Sequence, residues 1–326
     1  MTRYVIKRIV QAVLVLVAAY TVAFLLLNAL PGNAIIDKIR TPGSGITPAE
    51  GKILIAYYGL NKPLYAQYWT SLTGVFHGNL GYSIINGNPV TTLLGQAIPS
   101  TLKLTGLAFL FGLLIGLTVA VSSNYARFRW LRTSVRLVPG VFSSVPTFIV
   151  GILFIEFFAF GLHLFPAVDN GSFSALVAPA LALGMFVSAP SAQVLGGAIA
   201  MTRSEPFVHV ALAKGASEAF VFRRDIFRNC ALPLLTLLGL IFGELIAGSI
   251  VTEAVFSRNG LGELTVQAVT NQDLPVVQGV VLVAASGYIV INLIVDLVYP
   301  LIDPRILIAG SRSRRRPVLI GGSTES

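Results

Sequence analysis

Apolar residues along this chain come in long blocks rather than in alternation, and polar, glycine- and proline-bearing stretches separate the blocks. Six blocks reach the roughly 20 residues that a helix needs to cross a hydrocarbon core of about 30 Å. They run from about Ile9 to Leu30, Leu102 to Ser122, Val135 to Leu164, Leu176 to Ala200, Leu232 to Phe256 and Val276 to Ile302. A chain crossing lipid must satisfy its backbone hydrogen bonds internally, so such blocks are read as helices. The pattern predicts an all-α polytopic membrane protein with six transmembrane helices. Arg3, Lys7 and Arg8 precede the first block, as in a secretory signal. That block exceeds the usual 7–15-residue signal core, and no small-x-small site follows it near Leu30-Pro31-Gly32, so it reads as an uncleaved helix.

The polar stretches carry structure of their own. Between the first two blocks, Leu60, Pro63, Tyr65, Tyr68, Trp69, Leu72, Val75 and Phe76 recur at spacings near three and four, which predicts a short amphipathic helix in a folded external loop. Its apolar face packs on the tops of the spans or also meets a partner outside. Gly78 to Val90 is turn-rich, Thr91 to Ile98 suits a short helix, and Pro99 then opens the second span, where its missing N–H has no intrahelical partner. Gly239, Gly243 and Ala247 put small residues on one face of the fifth block, a helix-packing signal. Pro139, Pro146 and Pro190 interrupt helical runs and suit helices that rearrange.

The segment from Arg203 to Pro233 stands apart as a polar, basic island between two apolar blocks. Ala211, Leu212 and Gly215 fall near one helical face and Lys214 and Glu218 are exposed, with Gly215 placed to close the helix in a left-handed cap. A short helix, a glycine turn, a second helix and re-entry at Leu232-Pro233 make a docking elbow.

Charge sets the orientation. With the N-terminus inside, 17 of the 23 cations lie on the cytoplasmic side, and the outside holds Lys38, Arg40, Lys52, Lys62, Lys103 and Arg258. Both termini are therefore expected in the cytoplasm. Only 11% of residues are charged, mean hydropathy is +0.79, and the net charge is +9. Those cations sit at membrane edges, so topology and anionic headgroups explain them, and no nucleic-acid partner is expected. The Arg312 to Arg316 cluster reads as a solvated tail. A lone Cys230 excludes an internal disulfide and a cysteine-based metal cluster.

Chemistry is scarce. No Gly-x4-Gly-Lys-Ser/Thr phosphate loop occurs, so the chain is not expected to hydrolyse ATP. There is no His-Glu-x-x-His, and His77, His163 and His209 fall in different loops, so no metal site is expected. No Gly-x-Ser-x-Gly elbow is present, which argues against a membrane-embedded hydrolase. Glu156, Glu244 and Asp296 lie within apolar blocks, where a charge costs about 2.5–3.5 kcal/mol. Glu156 and Glu244 either line a pathway or pack through hydrogen bonds. Asp296 sits near the cytoplasmic end and close to Arg305, which suggests a helix-end pairing. A stand-alone ion-coupled transporter acting through Glu156 and Glu244 is the rival from a different class.

The island resembles the cytoplasmic signature of ABC-importer permeases, with Ala211, Ala213, Lys214 and Gly215 followed eighteen residues later by Pro233, the spacing of the oligopeptide/dipeptide permease branch. Similar motifs extend along the chain: Gly59-Leu-Asn-Lys-Pro-Leu-Tyr-Ala-Gln-Tyr68, Gly78-Asn-Leu-Gly-Tyr-Ser83, Pro89-Val90, Pro99-Ser-Thr-Leu102, Ser144-Val-Pro-Thr-Phe148, Glu253-Ala-Val-Phe256 with Gly260-Leu-Gly262, Asp296-Leu-Val-Tyr299 and Leu301-Ile-Asp-Pro-Arg305. His209 and Val210 depart from the general signature, which has Glu and Ala there.

The resemblance implies the type I ABC-importer transmembrane fold, in the bacterial inner membrane. Residues 1–97 would hold the first helix and external loop, 98–304 the permease domain and 305–326 a basic cytoplasmic tail. It implies a second homologous permease, two ATP-binding subunits that use ATP and Mg, an external solute-binding protein, and a peptide as cargo, with nickel, glutathione or oligosaccharide as variants. Ala211, Ala213, Lys214, Gly215, Ala216, Ser217 and Pro233 become the ATPase-coupling set, and Asp296, Asp303 and Arg305 a structural helix-end set.

Overall fold

The apolar blocks do become helices, and the polar stretches between them fold into shorter ones. The computed structural model describes residues 2–29, 47–57, 59 and 61–302. The expectations for Asp303, Arg305, the basic tail and the loop around 30–46 lie outside the described residues. Helix α1 covers Thr2–Ala29, α2 Pro48–Tyr57, α3 Leu64–Phe76, α4 Val90–Tyr125, α5 Arg129–Ser144 and α6 Thr147–Phe154. Then come α7 at Phe173–Arg203, α8 Pro206–Ala213, α9 Glu218–Val221, α10 Phe227–Val255, α11 Leu261–Thr270 and α12 Leu274–Ile302. Wider π-helical turns follow α6 at Ile155–Gly161 and α9 at Phe222–Ile226. Among the described residues the only extended pairing is a single bridge between Tyr82 and Pro89.

Among the described residues four helices, α1, α4, α7 and α12, are long and apolar enough to cross a membrane, and a fifth span appears if α5 and the α6 segment count as one broken span. The expected third span is therefore bent, by 99°. Its break falls at Val145-Pro146, where proline has no N–H to give and pushes the preceding residue out of the helical region, so Val145 is extended at φ −102°, ψ 120°. Pro99 does not open a span as expected, because α4 runs through it without interruption. Leu94, Ala97, Thr101 and Leu104 bury one continuous face across that proline, and this packing holds the helix where one backbone bond is missing.

Helices in lipid gain no hydrophobic drive toward one another, so close approach of small residues must hold them. Gly112 and Gly184 bring α4 and α7 together: a Cβ on Gly184 would meet the Ala108 carbonyl and Phe111 at 2.9 Å. Gly116 sits on Ser191 in the same seam. Gly239 and Gly243 of α10 face Asn292 and Tyr288 of α12, whereas Ala247 is exposed and Gly248 instead meets Leu183 of α7. The central core joins Leu104 and Ala108 of α4, Ala180, Leu183 and Val187 of α7, and Leu237, Ile241 and Leu245 of α10.

The amphipathic stretch forms α3, and its apolar face covers α1. Leu72 is buried. The Tyr68 hydroxyl lies 2.7 Å from Thr21 Oγ1, and its ring meets Phe24 edge-on at 5.4 Å. Before it, α2 is an element the sequence reading did not anticipate. Glu50 accepts from the Thr47 backbone N–H at 2.8 Å and Thr47 Oγ1 accepts from the Glu50 N–H at 3.3 Å, a reciprocal cap. These bonds hold the Glu50 carboxyl below its usual range, the Thr47 backbone N–H most strongly.

Candidate functional site: the elbow between α7 and α10

The basic island folds as an elbow whose order follows from its capping chemistry. Ser204 ends α7, and Pro206 starts α8 at the first helical position, where its missing N–H costs nothing. At the other end Gly215 takes φ +87°. Its N–H donates to Leu212 O at 2.9 Å, and the Ala216 N–H reaches back to Ala211 O at 3.2 Å, a Schellman closure that needs a residue free to be left-handed. Ser217 then caps α9, its hydroxyl accepting from the Phe220 N–H at 3.3 Å.

One face of α8 is anchored. Val208, Ala211 and Leu212, at spacing three and four, enter a core with Ala120 of α4, Leu195 and Ile199 of α7, Val221 of α9, Ile226, and Cys230 of α10. The opposite face is bare: Phe207 and Val210 are 45% and 52% exposed, and Ala213 and Lys214 continue that side. Phe220, also exposed, lies under the Arg224 guanidinium at 5.5 Å. Among the expected coupling residues, Ala213, Lys214, Gly215 and Ser217 are exposed, while Ala211 and Ala216 are half-buried against the core. Pro233 does not mark the start of the helix after the elbow: α10 starts at Phe227 and carries Pro233 inside it, so the π-helical turn at Phe222–Ile226 joins the elbow to α10. The proline sits in the second turn of α10, where only its bond to the Asn229 carbonyl is lost.

Arg203 ties the elbow to α4. Its Nη1 donates to Asn124 O at 2.6 Å, its guanidinium lies 4.4 Å over the Tyr125 ring, and its Nη2 is 3.5 Å from Glu218 Oε1. Asn124 in turn donates from Nδ2 to Gly196 O at 3.2 Å. The ends of α4 and α7 are thus held together, and α9 joins them through Val221 in the shared core. The contact with Glu218 is exposed and adds little, so the carbonyl bond and the ring do the holding.

A second polar cluster sits at the far end of the molecule, where the sequence reading saw motifs without a role. Glu253 is fully buried, and its Oε2 accepts from the Gly262 N–H at 2.6 Å. A Cβ on Gly260 would collide with this carboxylate, which explains Gly260 physically. Arg258, counted from sequence as an outside cation, is 5% exposed. It pairs with Asp169 at 3.3 Å and donates to Ala175 O at 3.3 Å and Ser100 Oγ at 3.4 Å. Asp273 accepts from the Ser83 hydroxyl and from the Ile84 N–H at 3.1 Å. The expected acids fall elsewhere. Glu244 is half-buried on α10, and Glu156 is exposed in the π-helical turn beyond Gly151, which packs on Val255 and Phe256. Asp296 pairs with Arg8 of α1 at 3.1 Å, a partner not foreseen. Elbow, acids and far-end cluster are not brought together, and no group of His, Cys, Asp or Glu among the described residues is arranged to hold a metal.

Comparison with known proteins agrees with this arrangement. Residues 89–308 match the family described as binding-protein-dependent transport system inner membrane component, and residues 1–105 match the N-terminal family of such membrane components. A Brucella abortus protein named as a peptide transport system permease is 33% identical over 314 residues, covering 94% of this chain and 99% of that protein. The glutathione transport system permease protein GsiC of Salmonella typhimurium is 34% identical over 309 residues, with the same coverage. An inward-facing MetNI methionine ABC transporter structure shares the fold, with TM-score 0.52 at 22% identity over 68% of this chain and 97% of that one.

Proposed function

The chain belongs to the family of inner-membrane components of binding-protein-dependent transport systems, and from that premise we propose that it carries peptides through ATP-driven import and takes its drive at the 205–233 elbow. It is a permease of an ABC importer and a multi-pass protein of the bacterial inner membrane. The observation that carries the proposal is the two-sided α8: Val208, Ala211 and Leu212 are fixed in a core shared with three long helices, while Phe207, Val210 and Lys214 are offered outward. A helix so placed can receive a push and cannot absorb it.

In this reading α10 and the broken α5–α6 segment complete six spans. Both termini lie in the cytoplasm, because the cation-rich elbow, the Arg127–Arg136 stretch and Arg8 share one side. Residues 1–97, 98–304 and 305–326 serve as external-loop unit, permease domain and basic tail. A second, homologous permease completes the pathway, an external binding protein delivers cargo, and two ATP-binding subunits use ATP and Mg²⁺. Closure of those subunits moves α8 and α9, and Arg203 and the shared core pass the shift to α4, α7 and α10. The far end then opens when its packing becomes the less stable of two alternatives a few kcal/mol apart.

Peptide is preferred as cargo because a relative named for peptide transport covers nearly the whole chain. Glutathione is itself a small peptide, so the second relative is compatible with the same pathway. Affinity purification from gently solubilised membranes tests the proposal. An ATP-binding chain should co-purify, and Phe207→Cys should cross-link to it. Uptake driven by an ion gradient through this chain alone, with no ATPase recovered, would instead support the secondary-transporter reading.

A further inference from the structure

The outward side of α3 points furthest. With 3.6 residues per turn, Tyr65, Trp69 and Phe76 fall within about 40° of one another on this helix. They are 71%, 60% and 70% exposed. Thr73 and His77, also exposed, form a polar strip along one flank of this ridge. On the other flank Leu72 is buried and Tyr68 turns onto α1. Aromatic side chains aligned in this way make a patch, which marks a surface that meets something, whereas scattered ones do not.

Two spans fix the depth at which the ridge lies. The Tyr68 hydroxyl meets Thr21 of α1, and its ring stands 6.3 Å from that of Tyr20 and 5.4 Å from that of Phe24. The apolar span of α1 runs Ile6–Leu26. At a rise of 1.5 Å per residue, those contacts fall about 3–9 Å inside its end. On the inner side of α3, Gln67 and Ser71 share a cavity with Tyr20, Phe24, Leu274 and Gln278. The span of α12 begins at Leu274, so Gln278 lies about 6 Å inside it. Both measures set α3 across the spans in the leaflet opposite the elbow, close to the roughly 5–10 Å depth that interfacial helices reach. Val22, Leu25 and Leu26, on the turns of α1 that α3 meets, are exposed as well, so lipid-facing surface runs up to the ridge. Tyr and Trp favour this layer, with the ring among the acyl chains and the polar atom toward the headgroups.

We infer that α3 is an interfacial helix whose Tyr65, Trp69 and Phe76 insert into the leaflet opposite the elbow, anchoring the external loop to lipid rather than offering this ridge to a soluble partner. The inference rests on the reading of α1 and α12 as spans. No residue of α3 is charged, and Lys62, just ahead of it, lines the cavity on the inner side. The anchor is therefore one of aromatic partition, indifferent to headgroup charge.

Bimane on single cysteines tests this in the complete transporter, with other reactive thiols removed from the partner subunits and the complex held in lipid nanodiscs. Cys230 is buried and adds little background. Labels at Tyr65→Cys and Phe76→Cys should be quenched about threefold more by lipid carrying a nitroxide near its headgroup than by aqueous iodide, and labels at Thr73→Cys and His77→Cys the reverse. The preference should be the same in phosphatidylcholine and in phosphatidylglycerol. Quenching of the ridge mainly by iodide, its protection by the external binding protein, cross-linking of Trp69→Cys to the second permease, or lipid quenching confined to phosphatidylglycerol would each overturn the inference. A label at Leu14→Cys, exposed and midway along the α1 span, separates this inference from the reading beneath it. If a nitroxide deep in the acyl chain quenches that label, the span stands, and a ridge untouched by lipid strikes the interfacial helix alone. If it does not, the span reading fails and the interfacial helix with it.

Discussion

Arg258 shows how much a single side chain holds at the far end. It joins the loop at Asp169, the start of α7 at Ala175 and the α4 residue Ser100, in a site nearly closed to water. Removing one member of a buried pair strands the other, so Arg258→Ala should destabilise the protein by about 3 kcal/mol, read as a fall in the Tm of the purified complex. Asp169→Asn in the same background should recover part of that loss, because the stranded charge disappears. Gly215 predicts a smaller and more local effect. At φ +87° an alanine costs about 1–2 kcal/mol, so Gly215→Ala should speed hydrogen exchange at the α8 C-terminus and lower the coupling of ATP hydrolysis to uptake, with global Tm little changed. The need for Gly215 was legible in the sequence because a cap is a local event. The meaning of Gly260 was not, since it depends on the Glu253 carboxylate folding back onto it.

Among the elements, α8 carries the sharpest expectation, since its two faces should fail differently. Val210→Asp places a charge in the outward ridge and should reduce recovery of the ATP-binding subunit by more than about tenfold, the loss of a contact worth over 1.4 kcal/mol. Val208→Ala instead opens a cavity in the shared core and should lower Tm by weakening the elbow's seat, while co-purification persists. If both variants lost the partner equally, the ridge would not be a docking surface. The elbow was readable as a helix, a glycine turn and a basic second helix. Its inward Ala211 and Leu212 and outward Lys214 and Glu218 were readable too, whereas Ala213 and Ala216 were not, because alanine fits either side. In the third apolar block the interruption read at Pro146 is real and splits the expected span into α5 and α6, while its 99° angle was not legible from composition. Helix α2 was legible after all: Thr47 and Glu50 stand three residues apart in the capping-box pattern, ahead of an apolar run.

At the scale of the whole molecule, the two ends are built differently, and this sets how it would move. The elbow end is joined mainly by apolar packing, with Val208, Leu195, Ile199 and Ile226 in one core beside the Arg203 bond to the Asn124 carbonyl. The far end is joined by directional bonds, Arg258 with Asp169 and Asp273 with Ser83 and Ile84, above a second apolar cluster of Val90, Leu94, Leu261 and Val277. Bonds of that kind are made or broken rather than stretched, so they suit a boundary with two states. Import requires that boundary to part on every cycle. A short thiol cross-linker bridging Ser83→Cys and Asp273→Cys should therefore abolish peptide uptake in the reconstituted transporter, and a cleavable version should restore it on reduction. ATP binding to the partner subunits should persist in the locked complex, because the elbow lies at the opposite end of the helices. Uptake that continued at full rate through a locked far end would show that Ser83 and Asp273 lie outside the moving boundary, and would shift the gate to the α11 side of the Glu253–Gly262 contact.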